Sequence, residues 1–320
     1  MTAKETAGWS DFRWDSWKDL ALVRARLDAG ADPNEGDYAF ERPLHAAAER
    51  GSPEVVAELA SRVDDVEAEC EGRTALWDAV FNDRPENARA LAAAGADPWR
   101  PMMAGWSPGR LSLAGPTPGL FFPFPPGHAG LTEAETAAVT EAERLIGALD
   151  GIVNDGFSLA CVHGISAAEA AQRLAATPVD EEELEEIMED PFEEKALRFI
   201  GFTDVPGGCV VSQEWGYMAS APVVMQVLSA GTVAYGMYAN PKSGNQGCVF
   251  RDGEVVDWDT HPGGGDASGD DPAEEILLKY LYQGHAEAYC FAGAGLRPTN
   301  ARAITDPDTH LRLPERDYWR

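Results

Sequence analysis

Basic residues are scarce in this chain, and their scarcity excludes several classes of partner. The 320 residues include 25 lysines and arginines against 54 aspartates and glutamates, which gives a formal net charge of −29. A surface this acidic repels the phosphates of nucleic acids and of anionic membranes. We therefore expect a protein partner, with a basic partner as one option, and we expect no binding to nucleic acid or membrane.

Paired cysteines and long hydrophobic runs are also missing. The five cysteines stand at positions 70, 161, 209, 248 and 290. Their spacing indicates neither a disulfide framework nor a Cys-x-x-Cys metal site. No run of about 18 apolar residues occurs, and the first residues lack the pattern of a signal peptide. The sequence therefore predicts a cytoplasmic protein.

The common catalytic motifs do not occur either. We find no P-loop, no His-Glu-x-x-His and no Gly-x-Ser-x-Gly phrase, so we expect no cofactor and no enzyme activity. Two alternatives stay open. The carboxylates of Asp257, Asp259 and Asp266 could bind a hard cation in an enzyme site, although their spacing is not that of an EF-hand. Cys161 and His163 could form a nucleophilic pair if they touch in the fold.

What the sequence does contain is a repeat with a period near 33 residues. Asp32, Asp65 and Asp97 lie 33 and 32 residues apart, and the phrase Ala-Gly-Ala-Asp-Pro occurs at 29–33 and again at 94–98. A phrase typical of a helix start follows at the equivalent position of successive repeats. A constant period of this length is typical of stacked helical repeats.

These phrases resemble the ankyrin repeat family, which implies an all-α solenoid that binds protein partners. We expect residues 1–116 to form three helix pairs, the first over residues 10–28, and a half-repeat that starts near Ser107 and closes the stack. Gly30 is predicted to end a helix in a left-handed conformation. The resemblance also implies that His45 bonds backbone groups between repeats.

The next segment is too apolar for a free linker. Prolines at 116, 118, 123, 125 and 126 exclude a normal helix. Phe121, Phe122 and Phe124 are predicted to pack against the end of the stack or against the following domain. We therefore interpret residues 117–130 as a packed junction.

Residues 131–320 are predicted to form a second, α+β domain, so the fold class of the whole chain is α+β. Capping boxes at Thr132–Glu135 and Ser166–Glu169 indicate helices. The acidic segment 180–194 is interpreted as a surface helix or a mobile loop, with a docking site for a basic partner as the alternative. Beyond residue 207 the hydrophobic pattern alternates, and Asp252-Gly253 predicts a hairpin within an antiparallel meander with flanking helices.

This second half resembles an uncharacterised domain family of bacteria. The resemblance is based on the phrases Val162-His163-Gly164-Ile165-Ser166, Leu228-Ser229-Ala230-Gly231-Thr232 and Arg251-Asp252-Gly253. It implies an architecture over most of residues 155–300 and no activity.

A break in the repeat pattern suggests where a partner binds. The loops before the helices, called fingers, carry Gly72 and Gly105, whereas the equivalent position of the second copy is Phe40. Exposed aromatic and arginine side chains are favoured in interfaces. We therefore predict a partner-binding edge lined by Tyr38, Phe40, Arg42, Arg73 and Trp106. Burial of Tyr38 and Phe40 against the first copy is the alternative.

Three functions remain at this point. The first is a protein-interaction scaffold that binds through the ankyrin array. The second is a cytoplasmic immunity or inhibitor protein that neutralises a basic toxin or nuclease. The third is an enzyme with a carboxylate site in the second domain.

Overall fold

The chain divides into two compact units. The computed structural model describes residues 8–36, 42–152, 156–179, 187 and 196–320. The repeat unit comprises Met1–Val139 with Ala267–Leu281, and the sheet unit comprises Thr140–Asp266 with Tyr282–Arg320. The segment 267–281 is thus part of the repeat unit, not of the domain 131–320 that the sequence indicates. The reason is its apolar face, since Ile276, Leu277 and Tyr280 are buried in the core of the repeats.

The repeat unit is built from short helices in pairs. A 3-10 helix spans Trp14–Lys18, and later 3-10 turns span Met103–Gly105 and Pro118–Leu120. The α-helices are α1 Leu20–Asp28, α2 Pro43–Arg50, α3 Pro53–Ala60, α4 Ala75–Phe81, α5 Pro85–Ala93 and α6 Pro108–Ser112. Strands β1 Glu69–Cys70 and β2 Arg73–Thr74 form a hairpin between α3 and α4. Helix α7, Glu133–Ala148, follows the junction.

Hydroxyl side chains start three of these helices. The Oγ atoms of Ser52 and Ser107 and the Oγ1 atom of Thr74 accept hydrogen bonds from the backbone N–H three residues later. Each bond satisfies a donor that has no partner in the first helical turn. The cap at Ser107 begins α6 where the half-repeat is expected.

The repeated Ala-Gly-Ala phrase ends helices by a shared geometry. After α1, Gly30 N–H donates to the carbonyl of Leu27 and Ala31 N–H donates to that of Arg26. Gly95 and Ala96 make the equivalent two bonds after α5. This is the Schellman motif, which needs a left-handed residue at the glycine position. Gly30 has φ = 95° and Gly95 has φ = 110°, as the motif requires.

The first copy forms the predicted pair of helices, but the first of them is not an α-helix. Its first helix is the 3-10 segment Trp14–Lys18, and Trp14 is 69% exposed rather than packed. The rings of Trp9, Phe12 and Trp17 instead pack together, with centroids 4.8 to 5.5 Å apart. A terminal repeat has no neighbour on its outer side. This aromatic cluster covers the core on that side and determines the local conformation of the chain.

The junction packs within the repeat unit through some of its phenylalanines. Phe121 is buried in the repeat core, and Phe122 packs against it half-buried. Phe124 remains 49% exposed and contacts the ring of Trp99 edge-on at 5.6 Å. The predicted packing therefore holds fully for Phe121 and only partly for Phe124.

The described part of the sheet unit contains eight antiparallel strands, which confirms the α+β class. They are β3 Ser158–His163, β4 Thr177–Pro178, β5 Phe199–Val205, β6 Gly208–Gln213, β7 Val233–Asn240, β8 Gly244–Arg251, β9 Glu254–Thr260 and β10 Thr309–Arg312. Their order across the sheet is β4-β10-β5-β6-β3-β7-β8-β9. Strands β7, β8 and β9 form the expected meander, and β3 lies between β6 and β7.

Helices pack on both faces of this sheet. They are α8 Ala167–Arg173, α9 Pro222–Leu228, α11 Ala286–Gly293 and α12 Arg302–Thr305, while α10, Ala273–Leu281, belongs to the repeat unit. Val224 and Leu228 of α9 share a core with Ala234 of β7. The next residue, Tyr235, points to the opposite face. There its ring lies 6.1 Å from that of Tyr289 of α11.

Two local predictions in the second half are confirmed. Asp252 and Gly253 have φ of 53° and 81° between the paired residues Arg251 and Glu254, as a two-residue type I′ hairpin requires. Thr132 and Glu135 exchange hydrogen bonds between side chain and backbone, which makes the capping box of α7. The acidic segment 180–194 lies outside the described residues apart from Ile187, which is buried.

The described helices are all too short or too polar to cross a membrane.

The Schellman motif at Gly30 yields a stability prediction. A Cβ at Gly30 would meet no atom within 4 Å, so substitution acts through the backbone alone. We expect Gly30→Val to lower the free energy of unfolding by about 1–2 kcal/mol, because φ = 95° is unfavourable for a β-branched residue. Gly30→Asn is the matched control, since asparagine tolerates this region and should lose less. Urea denaturation measures both, and equal losses would contradict the account.

Candidate partner-binding surface

The finger between α3 and α4 is a tight β-hairpin. Cys70 pairs with Arg73, and the two residues between them, Glu71 and Gly72, have φ of 52° and 77°. Two successive left-handed residues make a type I′ turn, whose twist matches that of the flanking strands. The finger therefore has a defined conformation rather than that of a loose loop.

Arg73 ties this finger to the helices instead of reaching outward. Its Nε lies 3.2 Å from a carboxylate oxygen of Asp78, and a terminal nitrogen lies 3.4 Å from Glu71. The Arg73 side chain is only 17% exposed. Its guanidinium is thus already engaged within the unit, and its predicted place in a partner interface stays a prediction.

His45 links the same finger to α2. Its Nε2 lies 3.1 Å from the Arg73 carbonyl oxygen, which can only accept a hydrogen bond, so Nε2 carries the proton. The side chain is buried, and Nδ1 has no hydrogen-bond partner among the described residues. Burial lowers the pKa of His45 to about 4, so the ring is neutral at pH 7. The structural role implied by the resemblance matches this geometry.

Trp106 corrects the predicted edge. It is 1% exposed, with its indole N–H donating to the Ala273 carbonyl at 3.0 Å and the Arg110 guanidinium 4.2 Å from the ring centroid. A side chain this buried cannot serve as an exposed interface anchor. The phase of the fingers in the repeat does not reveal this role, because Ala273 lies 167 residues away in the sequence.

The other three predicted residues have different outcomes. Tyr38 and Phe40 lie outside the described residues, so their contribution stays a prediction. Arg42 is half-buried and is the N-cap residue of α2 with an extended backbone. The predicted cluster is therefore not assembled as an exposed aromatic edge within the described part of the chain.

Helix α10 covers the repeats near α4 and α6. Every residue of α4 is buried, and the ring of Phe81 lies 5.7 Å from that of Tyr280. The chain at Gly115 passes so close that a Cβ there would lie 2.4 Å from the Tyr280 hydroxyl. Helix α4 is buried mainly against its neighbours α2, α5 and α6, with α10 beside Phe81, so it offers no surface to a partner.

Carboxylates remain exposed along the finger. Four of them define what we call the acidic finger edge, namely Asp64, Asp65, Glu69 and Glu71. Nearby, Arg100 pairs with Glu67 at 3.2 Å and with Glu69 at 3.0 Å. The acidic residues at 65, 67, 69 and 71 alternate in the sequence, and this period of two was the signal that could have revealed the edge.

Comparison with known proteins agrees with the geometry of this half. Residues 16–102 match the family model for ankyrin repeats, in three copies. This stretch is an ankyrin repeat array. No curated protein matches the chain. The match ends at residue 102, so the resemblance described for residues 155–300 stays a prediction. Ankyrin repeats generally bind proteins, which supports an interaction role for the array.

The chemical alternatives outside the ankyrin array find little support. Asp257 and Asp266 are exposed, and the side chain of Asp259 lies outside the described part of the chain, so the predicted trio stays a prediction. Among the described side chains no group of three or more metal ligands could hold an ion. Burial raises the pKa of the Cys161 thiol well above its usual value. His163 directs Nδ1 to the Ala294 carbonyl at 2.9 Å. A buried, protonated thiol is a poor nucleophile.

The low pKa of His45 predicts acid sensitivity. Below pH 6.5 the unfolded chain binds a proton at this histidine, whereas the folded protein does so only near pH 4. The neutral His45 ring therefore makes its full contribution to the free energy of unfolding above pH 6.5. This contribution falls as the pH decreases to 4, by about 3 kcal/mol at most. Denaturation of wild type and His45→Gln at pH 7.5 and pH 4.5 measures this. Parallel losses in the two proteins would contradict it.

The contacts of α10 predict a large loss of stability for one substitution and little change for another. Ile276→Ala should lower the free energy of unfolding by about 2–5 kcal/mol, because Ile276 is fully buried in the ankyrin core. Tyr280→Phe should be neutral or slightly stabilising, since the buried hydroxyl has no hydrogen-bond partner among the described residues. Chemical denaturation of the full chain tests both. A loss above 1 kcal/mol for Tyr280→Phe would show that its hydroxyl has a partner.

Proposed function

We propose that this protein is an interaction scaffold whose ankyrin array binds a basic protein partner through the acidic finger edge. The observation that supports it best is the contrast between two surfaces of the array. Helix α4 is buried, mainly against α2, α5 and α6 with Tyr280 of α10 beside Phe81, whereas Glu69 and Glu71 on the finger remain exposed.

Charge gives the proposed contact its chemistry. The chain carries a net charge of −29, so a partner of opposite charge is attracted from a distance. Arg73 and Arg100 pair with Glu71 and Glu69 of this edge, and also with Asp78 and Glu67 of the array. Four exposed carboxylates against these two arginines leave the acidic finger edge with net negative charge, and electrostatic complementarity would select basic surfaces.

The finger is also held in place before any partner arrives. Its type I′ turn, the ion pair from Arg73 to Asp78 and the bond from His45 to the Arg73 carbonyl restrict its motion. A preorganised surface loses less conformational entropy on binding. Tyr38, Phe40 and Arg42 stand before α2, at the position in the second repeat that is equivalent to the finger. They remain predicted to take part in partner binding.

An immunity or inhibitor protein is one specific form of this proposal. Basic toxins and nucleases present the surface charge that an acidic scaffold attracts. The rapid, salt-sensitive association that steering produces suits a neutraliser. The acidic finger edge favours a basic toxin or nuclease no more than it favours any other basic protein.

The test compares charge reversal at two places. After a partner is isolated by affinity capture from the native host, its association rate is measured by stopped-flow with the purified chain at low and physiological salt. Glu69→Lys combined with Glu71→Lys should slow association by about tenfold or more at low salt, because steering is lost. The wild-type rate should fall as salt rises, since the Debye length shortens to about 8 Å.

The control changes the same charge elsewhere. Asp28→Lys combined with Glu54→Lys reverses two exposed carboxylates on α1 and α3. It should slow association less than the finger pair does. Equal effects of the two pairs would assign the attraction to net charge alone, and a salt-independent rate would favour an apolar interface. Either result would reject the acidic finger edge as the binding site.

A further inference from the structure

A cavity lies at one end of the sheet unit, on a row of residues that share one face. His310 of β10 pairs with Gly201 of β5, and Gly201 pairs with Ser212 of β6. Paired residues on neighbouring strands point to the same side of a sheet. Phe199, two residues before Gly201, shares that side, and its ring stacks on the His310 ring at 5.0 Å and 9°.

Glycine at position 201 lets another segment cross this row. A Cβ on Gly201 would lie 2.4 Å from Cγ of Pro307, closer than folded proteins allow. Pro307 and its neighbour Asp306 therefore pass directly over the strand. Together with Ile304 of α12 they form one wall of the cavity, and Trp215 is part of its lining.

The cavity has the size of a small organic group. Its volume is about 170 Å³. A cavity of about 150 Å³ suffices for a benzene molecule, so this one has room for a single ring with a short arm. Its apolar lining includes Ala196, Phe199, Ile304 and Pro307.

The polar groups of the lining are acidic or neutral. Glu214 and Asp306 are exposed carboxylates, and none of the described lining residues is lysine or arginine. Burial lowers the pKa of His310 despite the opposing field of these two carboxylates, so its ring is neutral at pH 7. The buried Ser212 hydroxyl has no hydrogen-bond partner among the described residues.

The carboxylates and aromatic rings of the lining together favour a positively charged ligand. The faces of aromatic rings attract cations, and nearby carboxylates strengthen that attraction. An anion would meet two carboxylates and no compensating cation among the described lining residues, so it is disfavoured. A neutral ring would fill the space but leave the carboxylates unused.

We propose that the cavity lined by Phe199, Trp215, Asp306 and His310 binds an organic cation, an ammonium or guanidinium group on a small apolar body. Such a group occurs in free amines and in the arginine and lysine side chains of peptides. The two sources share the chemistry that the cavity recognises.

Three probes of equal size and different charge test the proposal on the full chain. Benzylamine is the cation, benzyl alcohol the neutral analogue and benzoate the anion. Binding is followed by the imidazole resonance of His310 in NMR spectra, assigned with His310→Gln, and by isothermal titration calorimetry. We expect benzylamine to shift this resonance and to bind at least tenfold more tightly than benzyl alcohol, with no binding of benzoate.

Paired variants identify the groups responsible. Glu214→Gln with Asp306→Asn should weaken the binding of benzylamine at least tenfold and leave the binding of benzyl alcohol unchanged. Glu254→Gln with Asp257→Asn removes two exposed carboxylates from β9 and should change the binding of neither compound. All four side chains are exposed, so the variants are expected to fold.

A capped arginine amide separates the two sources. Tighter binding of this probe than of benzylamine assigns the site to a basic side chain of a peptide, and the reverse assigns it to a free amine. The proposal is overturned if neither cation shifts the His310 resonance. It is also overturned if benzylamine and benzyl alcohol bind equally, or if the β9 pair weakens benzylamine as much as the cavity pair does.

Discussion

A stack of helical repeats is stable only when both of its end faces are covered, because each repeat leaves one apolar side for its neighbour. At the first copy this chain meets the constraint with the packed rings of Trp9, Phe12 and Trp17. At the other end it uses the half-repeat α6, Phe121 and the distant helix α10. The hydrogen bond from Trp106 to the Ala273 carbonyl fixes the first turn of that helix.

This way of covering the stack decides which surfaces remain for function. Helix α10 packs its apolar face on the ankyrin core and removes the neighbourhood of Phe81 from solvent. The finger hairpin keeps the carboxylates of Glu69 and Glu71 exposed. This arrangement supports the proposed recognition by charge along the finger over recognition by an apolar groove at α4.

Local signals in the sequence predicted much of the fold, and distant contacts account for the rest. The Gly30 and Gly95 phrases, the Ser107 cap and the Asp252-Gly253 turn depend on neighbouring residues, so they could be recognised without a structure. The assignment of α10 and the burial of Trp106 depend on a contact across 167 residues. Amphipathic spacing shows that a helix has an apolar face, but not which core that face joins. For the same reason the predicted partner edge placed Trp106 at the surface.

The central claim is that a partner engages the acidic finger edge while α10 stays in place, and hydrogen–deuterium exchange of the full chain tests it most directly. Without partner, backbone amides of α4 and α10 should exchange slowly, because both helices are packed in the ankyrin core. With saturating partner, protection should rise in residues 64–73 and stay unchanged in 75–81 and 273–281. Increased exchange of α10, or new protection confined to α4, would show that the partner displaces the helix and would contradict the account.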